Sequence, residues 1–432
     1  MANRRRGIGG AAAAACLALA APALRGAEGT LEDRVSTLEE LMAKQGGFRS
    51  LKGDWFALGG ELEYEWRDAE SDGQAEQVEN SHGHFDIDKV VLVPLVTVTD
   101  DISMTGELTY AESSTIVDEW AFDWKNLPAG MVWRLGYFER FTKEKDFSTL
   151  YSYETEQIPM IHKAWTEDDM QQMQLGGRHG TGVPHLDSVA WIASYGSGLN
   201  TNTDTGVGED GGIELMHDDD RSSVDVNEHK REIGLGLNAV FSAEAANYTG
   251  EVTGWTFDSN LDLGEKTYVS GRTGYSALDR TFVSGFPTTT DDTQTRTGFR
   301  TSHRFKKLGR GDLLFTYERA SAEDGELERD GDLVQVSYGI PVEGGLWNGY
   351  FTRITPVVKV ESYDVDIPRA FGDDDTWDHD QGVLAALLSI TNGTTLKIEH
   401  YAIESKTGGA GTAAQPGEID HDEVLVQLEV KF

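Results

Sequence analysis

The sequence predicts an all-β fold: a transmembrane antiparallel β-barrel over residues 51–432, preceded by a short N-terminal coiled-coil helix. Three observations predict it. Apolar and polar residues alternate with period two through most of the chain, as in strands with two unlike faces. Short turns alternate with long polar connections, the asymmetry of a membrane barrel. The chain opens on an export-type leader and stops on Phe432, with Val424, Val426, Leu428 and Val430 at every second position before it.

Composition narrows the function classes. The 432 residues include 37 Lys+Arg against 74 Asp+Glu, a formal net charge of −37. That balance excludes a protein whose main task is gripping nucleic-acid phosphates, which needs a basic face. Beyond the N-terminus no apolar run reaches the ~18 residues of a transmembrane helix, so a helical bundle is excluded. The chain has 10 Trp, 14 Tyr and 17 Phe, too many aromatics for a disordered polypeptide.

In chain order, residues 1–23 read as a signal peptide, with a basic start (Arg4, Arg5, Arg6), an apolar run and the end Ala21-Pro22-Ala23. Cys16, the only cysteine, lies in that leader, so the mature chain has no thiol for a disulfide, a nucleophile or a thiolate metal site. Residues 24–50 form a periplasmic oligomerisation segment, where Leu31, Val35, Leu38 and Met42 are spaced 4, 3, 4 in a coiled-coil rhythm. An ordinary amphipathic helix would show the same spacing. Thr30 suits its N-cap and Gly46-Gly47 its end.

The strands follow. Phe56, Leu58, Leu62, Tyr64 and Trp66 share one parity, and Glu61, Glu63, Glu65 and Arg67 the other. The same alternation marks Ile102–Tyr110, Met131–Tyr137, Ile233–Phe241, Leu313–Tyr317 and Ile354–Val360. Apolar parity predicts a lipid-facing surface and polar parity a wet lumen. The pattern marks strands near 55–67, 84–99, 102–112, 115–125, 130–139, 171–178, 188–196, 229–241, 248–257, 265–275, 293–306, 311–321, 332–340, 352–364, 382–391, 394–405 and 422–432. That is one more than an even-numbered barrel allows, and the expectation is sixteen strands, with eighteen as the alternative. Asn392-Gly393 is the strongest hairpin signal. Long connections at 140–170, 197–228, 282–292, 366–379 and 406–418 lie opposite the short turns. The closing strand, ending on Phe432, has the form that the bacterial barrel-assembly machinery reads as its assembly signal.

Enzyme motifs are missing: no Gly-x-Ser-x-Gly elbow, no His-Glu-x-x-His and no P-loop occurs. Asp218-Asp219-Asp220 and Asp373-Asp374-Asp375 lack the Gly and Glu positions of an EF-hand loop and read as solvated surface. No metal and no cofactor is expected.

Two segments carry a family resemblance. Phe85-Asp86-Ile87-Asp88-Lys89-Val90-Val91-Leu92 followed by Asp100–Tyr110, and Asp118-Glu119-Trp120-Ala121-Phe122 followed by Trp133–Phe138, resemble the early strands of the phosphate-selective porin O/P family. Where that family has Gly-x-Phe-Lys-x-Pro-Phe, this chain has Gly136-Tyr137-Phe138-Glu139-Arg140-Phe141, and Thr155 stands where the family often has Arg. The resemblance covers roughly residues 30–200, including the coiled coil. It implies a homotrimeric outer-membrane channel of sixteen strands whose third long loop, about 140–170, folds inward as the constriction.

On that reading the chain is a multi-pass barrel of the bacterial outer membrane, in contact with outer-membrane lipid and lipopolysaccharide, and passes small hydrophilic solutes and ions, with phosphate among the candidate anions. The alternatives are a barrel with hydrolase activity and a structural or adhesive barrel acting through its acidic loops. Candidate pore-lining residues are Arg134, Arg140, Lys143, Lys145, Arg296, Arg300, Arg304 and Lys306 on the basic side, and Glu61, Glu63, Glu65 and Glu107 on the acidic side. Arg296 to Lys306 would form a row rising about 33 Å through the lumen. Two uses of it stay open: an anion filter, or one wall of a transverse field in which the basic groups pair with Glu and Asp on other strands.

Overall fold

The computed structural model describes residues 51–52, 55–72, 83–111, 114–143, 147–150, 155, 170–196, 232–258, 294–324, 327–343, 349–366, 376–391, 393–407 and 418–432. The signal peptide and coiled-coil segment lie outside the described residues, as do Asp218-Asp219-Asp220 and Asp373-Asp374-Asp375.

Period-two alternation gives each strand one face for hydrocarbon and one for the interior, and closing the sheet leaves no unpaired edge for the membrane to penalise. Sixteen strands do this: β1 (Phe56–Asp72), β2 (His84–Thr99), β3 (Ile102–Ala111), β4 (Ser114–Leu127), β5 (Met131–Phe138), β6 (Met170–Val183), β7 (Leu186–Gly196), β8 (Glu232–Ala243), β9 (Tyr248–Asp258), β10 (Gln294–Leu308), β11 (Gly311–Asp324), β12 (Leu327–Pro341), β13 (Arg353–Asp366), β14 (Thr376–Thr391), β15 (Thr394–Thr407) and β16 (Glu418–Lys431). Each pairs antiparallel with its neighbour in sequence, and β16 closes on β1 from Asp420↔Asp72 to Lys431↔Glu61. The seam continues in Phe432, whose backbone exchanges bonds of 2.8 and 2.9 Å with Gly60. Below it a two-residue strand, Leu51–Lys52, pairs with Leu58 and Ala57.

The strand read at 265–275 lies outside the described residues, and β9 pairs directly with β10 from Tyr248↔Phe305 to Asp258↔Thr295. Short connections gather at one end of the barrel, the turn end, where Asn126 (φ 56°) and Asn247 (φ 50°) adopt the left-handed conformation that Asn tolerates better than most residues. Two connections at the opposite, loop end are also short in sequence, 112–113 between β3 and β4 and 325–326 between β11 and β12.

The outer face carries an apolar band with Leu235, Leu237, Val252, Val334, Val358, Val360, Leu384 and Ile398 exposed on it. Trp55, Trp124 and Tyr350 are exposed towards the turn end, and Phe85 and Tyr110 towards the loop end, the placement of interfacial aromatics. The inner face differs from the expected wholly polar lumen. Leu333, Val357, Val383, Tyr363, Tyr401 and Leu425 point inward and are buried among Lys359, Glu361, Glu399, Glu423 and Gln427. In β14 the run Val383–Leu388 is apolar at both parities, so alternation alone does not separate its faces.

Candidate functional site: the lumen and its inward loop

β5 ends at Phe138 and the chain enters the 139–169 connection. Its described part packs against inward-facing residues of the wall. Phe141 is fully buried and packs against Phe147 and Phe257 at ring separations of 5.2 and 4.9 Å. Room for these rings comes from β8: a Cβ on Gly236 would lie 2.5 Å from the Phe141 ring and 2.6 Å from that of Phe147. Glycine on the lumen parity therefore marks where another segment comes close.

Polar groups then fix the loop to four wall strands. Arg140, itself buried, donates from Nε and Nη2 to the two carboxylate oxygens of Glu232 on β8 at 2.8 and 3.0 Å, and its guanidinium lies 5.6 Å from the Phe257 ring centroid. Arg296 reaches the same carboxylate at 3.5 Å. Arg300 Nη2 donates to the Thr142 carbonyl at 3.0 Å, and Arg178 Nη2 on β6 to the Phe147 carbonyl at 2.7 Å. Glu251 on β9 accepts from Ser148 Oγ, from Thr149 N and Oγ1 at 2.8 and 2.6 Å, and from Leu150 N at 3.0 Å.

These contacts change the meaning of the arginine row. Arg296 and Arg300 face inward, but they are 4% and 1% exposed and are engaged with Glu232, Glu318 and the loop backbone. Arg300 also lies over Trp255, 5.8 Å from the ring. Arg304 is half-buried and Lys306 exposed near the turn end. The row is thus partly a dock for the loop rather than a continuous open stripe. The side chains of Lys143 and Lys145 lie outside the described residues.

The acidic candidates also face inward and have partners that the sequence did not single out. Glu63 meets Lys89 at 3.1 Å, Glu65 meets Arg67 at 3.0 Å, and Glu61 meets Lys431 at 3.3 Å. Glu107 is half-buried on β3. Carboxylate oxygens of Glu61, Glu63 and Glu429 lie within 4.8 Å of one another. Lys431, Lys89 and Lys397, at 3.3, 3.1 and 3.0 Å from these three carboxylates, supply the counter-charge, so ammonium groups account for the cluster.

The charges are unevenly distributed around the wall. Glu61, Glu63, Glu65, Glu107, Asp123, Glu423 and Glu429 lie on the arc from β16 to β4. Arg134, Arg140, Arg178, Arg296, Arg300 and Arg304 lie on β5 to β10 and the loop. β1 and β10 are nine strands apart one way and seven the other, so these two strands face each other across the barrel, while the arcs adjoin at β4 and β5, and β11 to β15 carry Glu318, Lys359, Glu361, Lys397 and Glu399 of mixed sign. Arg67, Lys89 and Lys431 temper the acidic arc, and Glu232 and Glu251 the basic one.

Between the loop and β4–β7 lies a cavity of about 490 Å³. Asp123, Lys125, Arg134, Thr149, Gln174 and Arg178 give it a polar lining, with Phe147, Val132 and Ile192 beside them. Arg134 and Asp123 meet across β4 and β5 at 2.7 Å.

Sequence reasoning named Arg140, Arg296 and Arg300 but missed Arg178, Glu232, Glu251 and the glycines on β8. The available signal was Glu232, Gly234 and Gly236 on one parity of β8, with no side chain to occupy the space above the two glycines.

No protein-family model and no curated protein matches the sequence. Among solved structures, Pseudomonas putida OprB superimposes with a TM-score of 0.57 at 9% identity, covering 90% of this chain and 99% of that one. OmpT, an outer membrane protein of Vibrio cholerae, superimposes with a TM-score of 0.50 at 12% identity, covering 89% and 100%. An anion-selective porin from Comamonas acidovorans overlaps at 0.46 and 11%, covering 87% and 99%. At these identities the likeness to OprB and OmpT is one of fold, that of an outer-membrane β-barrel, which this chain closes with sixteen strands.

Proposed function

We propose that the chain is an outer-membrane porin, a passive diffusion channel for small hydrophilic solutes and ions. One observation carries this reading: an inward loop docked on the lumen wall beside a cavity of about 490 Å³ with charged and apolar groups in its lining. A barrel narrowed by its own loop suits size-limited diffusion, and the acidic wall at β1 facing the basic wall at β10 suits a transverse field across the path. In a narrow, weakly screened passage such a field orders polar and zwitterionic solutes without admitting one sign of ion alone. The engagement of Arg296 and Arg300 by Glu232, Glu318 and the loop favours this over an anion filter, so anions such as phosphate pass as one class among several. Transport follows the gradient, with no covalent chemistry and no cofactor.

The resemblance in residues 30–200 supports a homotrimer. Its apolar band meets lipid and its loop end lipopolysaccharide. Liposome swelling tests the channel directly. Vesicles containing the folded protein should swell in isotonic solutions of small sugars and amino acids, at rates that fall with solute size. Swelling no faster than in protein-free vesicles would contradict the proposal.

A further inference from the structure

The loop is held at two places, and they do different work. Arg140–Glu232 and Arg300–Thr142 fix its root, next to the end of β5. Glu251 holds it further along, at residues 148–150. We propose that Glu251 is the positioning residue that sets the width of the pore, by clamping this part of the loop against β9. The inference rests on the channel reading and deepens it.

The chemistry of the clamp is matched. An ionised carboxylate only accepts hydrogen bonds, and the loop offers it only donors: two hydroxyls and two backbone N–H groups from three successive residues. Bonds to an ionised acceptor are shorter and about twice as strong as neutral ones. Glu251 is 1% exposed, so water does not compete for these donors.

The clamp also belongs to a closed ring. Thr253 Oγ1 donates to Glu251 at 3.2 Å, Asn238 Nδ2 to Thr253 Oγ1 at 2.8 Å, and Arg178 Nη1 to Asn238 Oδ1 at 3.1 Å. Arg178 Nη2 then returns to the loop at the Phe147 carbonyl, 2.7 Å away, one residue before Ser148. Every member fixes the next, and such networks hold one geometry more firmly than isolated pairs. Phe147 and Thr149 form one wall of the cavity, with Asp123 and Arg134 in its lining. Moving the clamped residues therefore changes the width of the passage.

The test is single-channel recording of the purified full-length protein in planar bilayers, with polymer exclusion to size the pore. Glu251→Gln puts an amide donor against the loop's donors and removes one acceptor. Losing one charge-assisted bond should raise the undocked fraction by about tenfold or more. The record should show a second, larger conductance level and a larger exclusion limit. Ser148→Ala with Thr149→Val removes donors from the other side of the clamp and should produce the same level; this variant decides the matter if Glu251→Gln does not fold. Glu399→Gln removes the same charge six strands away on β15 and should keep the wild-type levels. Wild-type levels and exclusion limit in both clamp variants, or the second level in Glu399→Gln, would overturn the proposal. A folded wild type that does not conduct would instead remove the channel reading beneath it.

Discussion

The Asp123–Arg134 pair allows a test whose sign reverses with the residue changed. The two are partners across β4 and β5, with Arg134 Nε 2.7 Å from Asp123 Oδ1, and both line the cavity beside the loop. Together they present no net charge. Arg134→Gln leaves −1 at the cavity wall, and Asp123→Asn leaves +1. A unit charge about 5 Å from a passing ion is worth ~0.8 kcal/mol in a water-like dielectric. Salt at 0.1 M lowers this to about 0.5 kcal/mol. Each ion's local concentration should therefore move roughly two- to fourfold, in opposite directions for cations and anions, so their ratio shifts roughly five- to fifteenfold in each variant. Reversal potential in a salt gradient reads the change. Arg134→Gln should shift the channel towards cations, Asp123→Asn towards anions, and the double variant should return close to wild type. A shift of both single variants in the same direction, or of neither, would refute the placement of this pair on the ion path.

Other consequences concern the wall and the dock. Arg140→Met removes a two-point partner from the buried Glu232 carboxylate, and breaking a buried pair typically costs ~3–5 kcal/mol; a lower urea midpoint for the folded barrel is expected, and an unchanged midpoint would show that the dock contributes nothing. Gly60→Ala places a Cβ against the Val91 carbonyl and 2.8 Å from the Phe432 ring at the closing seam. Overpacking of this kind costs about 1–3 kcal/mol, read as reduced heat resistance of the folded band on a gel. Leu237, 64% exposed halfway along β8, faces the lipid. Leu237→Arg should destabilise the bilayer-inserted barrel by roughly 2–4 kcal/mol, and an unaffected variant would place that face in water.

The strands were legible because a membrane barrel imposes the same two-faced pattern on each of them. β1, β3 and β8 show it cleanly, with Leu62 and Tyr64 out and Glu63 and Glu65 in. It weakens where inward positions are themselves apolar, as at Val383 and Leu387. Periodicity also does not encode which strands pair, such as β9 with β10 across the 259–293 connection. The site was legible in part for a related reason. Arg296 and Arg300 stand out as charges at regular spacing, whereas their partners lie 64 positions earlier at Glu232 and 18 positions later at Glu318. Long-range pairing leaves no local mark. Glu251 is an unremarkable glutamate until the barrel brings Ser148, Thr149 and Leu150 to it.

The most direct test of the account is single-channel conductance of the purified, folded protein in a planar bilayer. The account predicts stepwise, ohmic insertions, with an ion preference that is modest in either direction because acidic and basic walls both flank the path. Folded, heat-modifiable protein that inserts without conductance would contradict it.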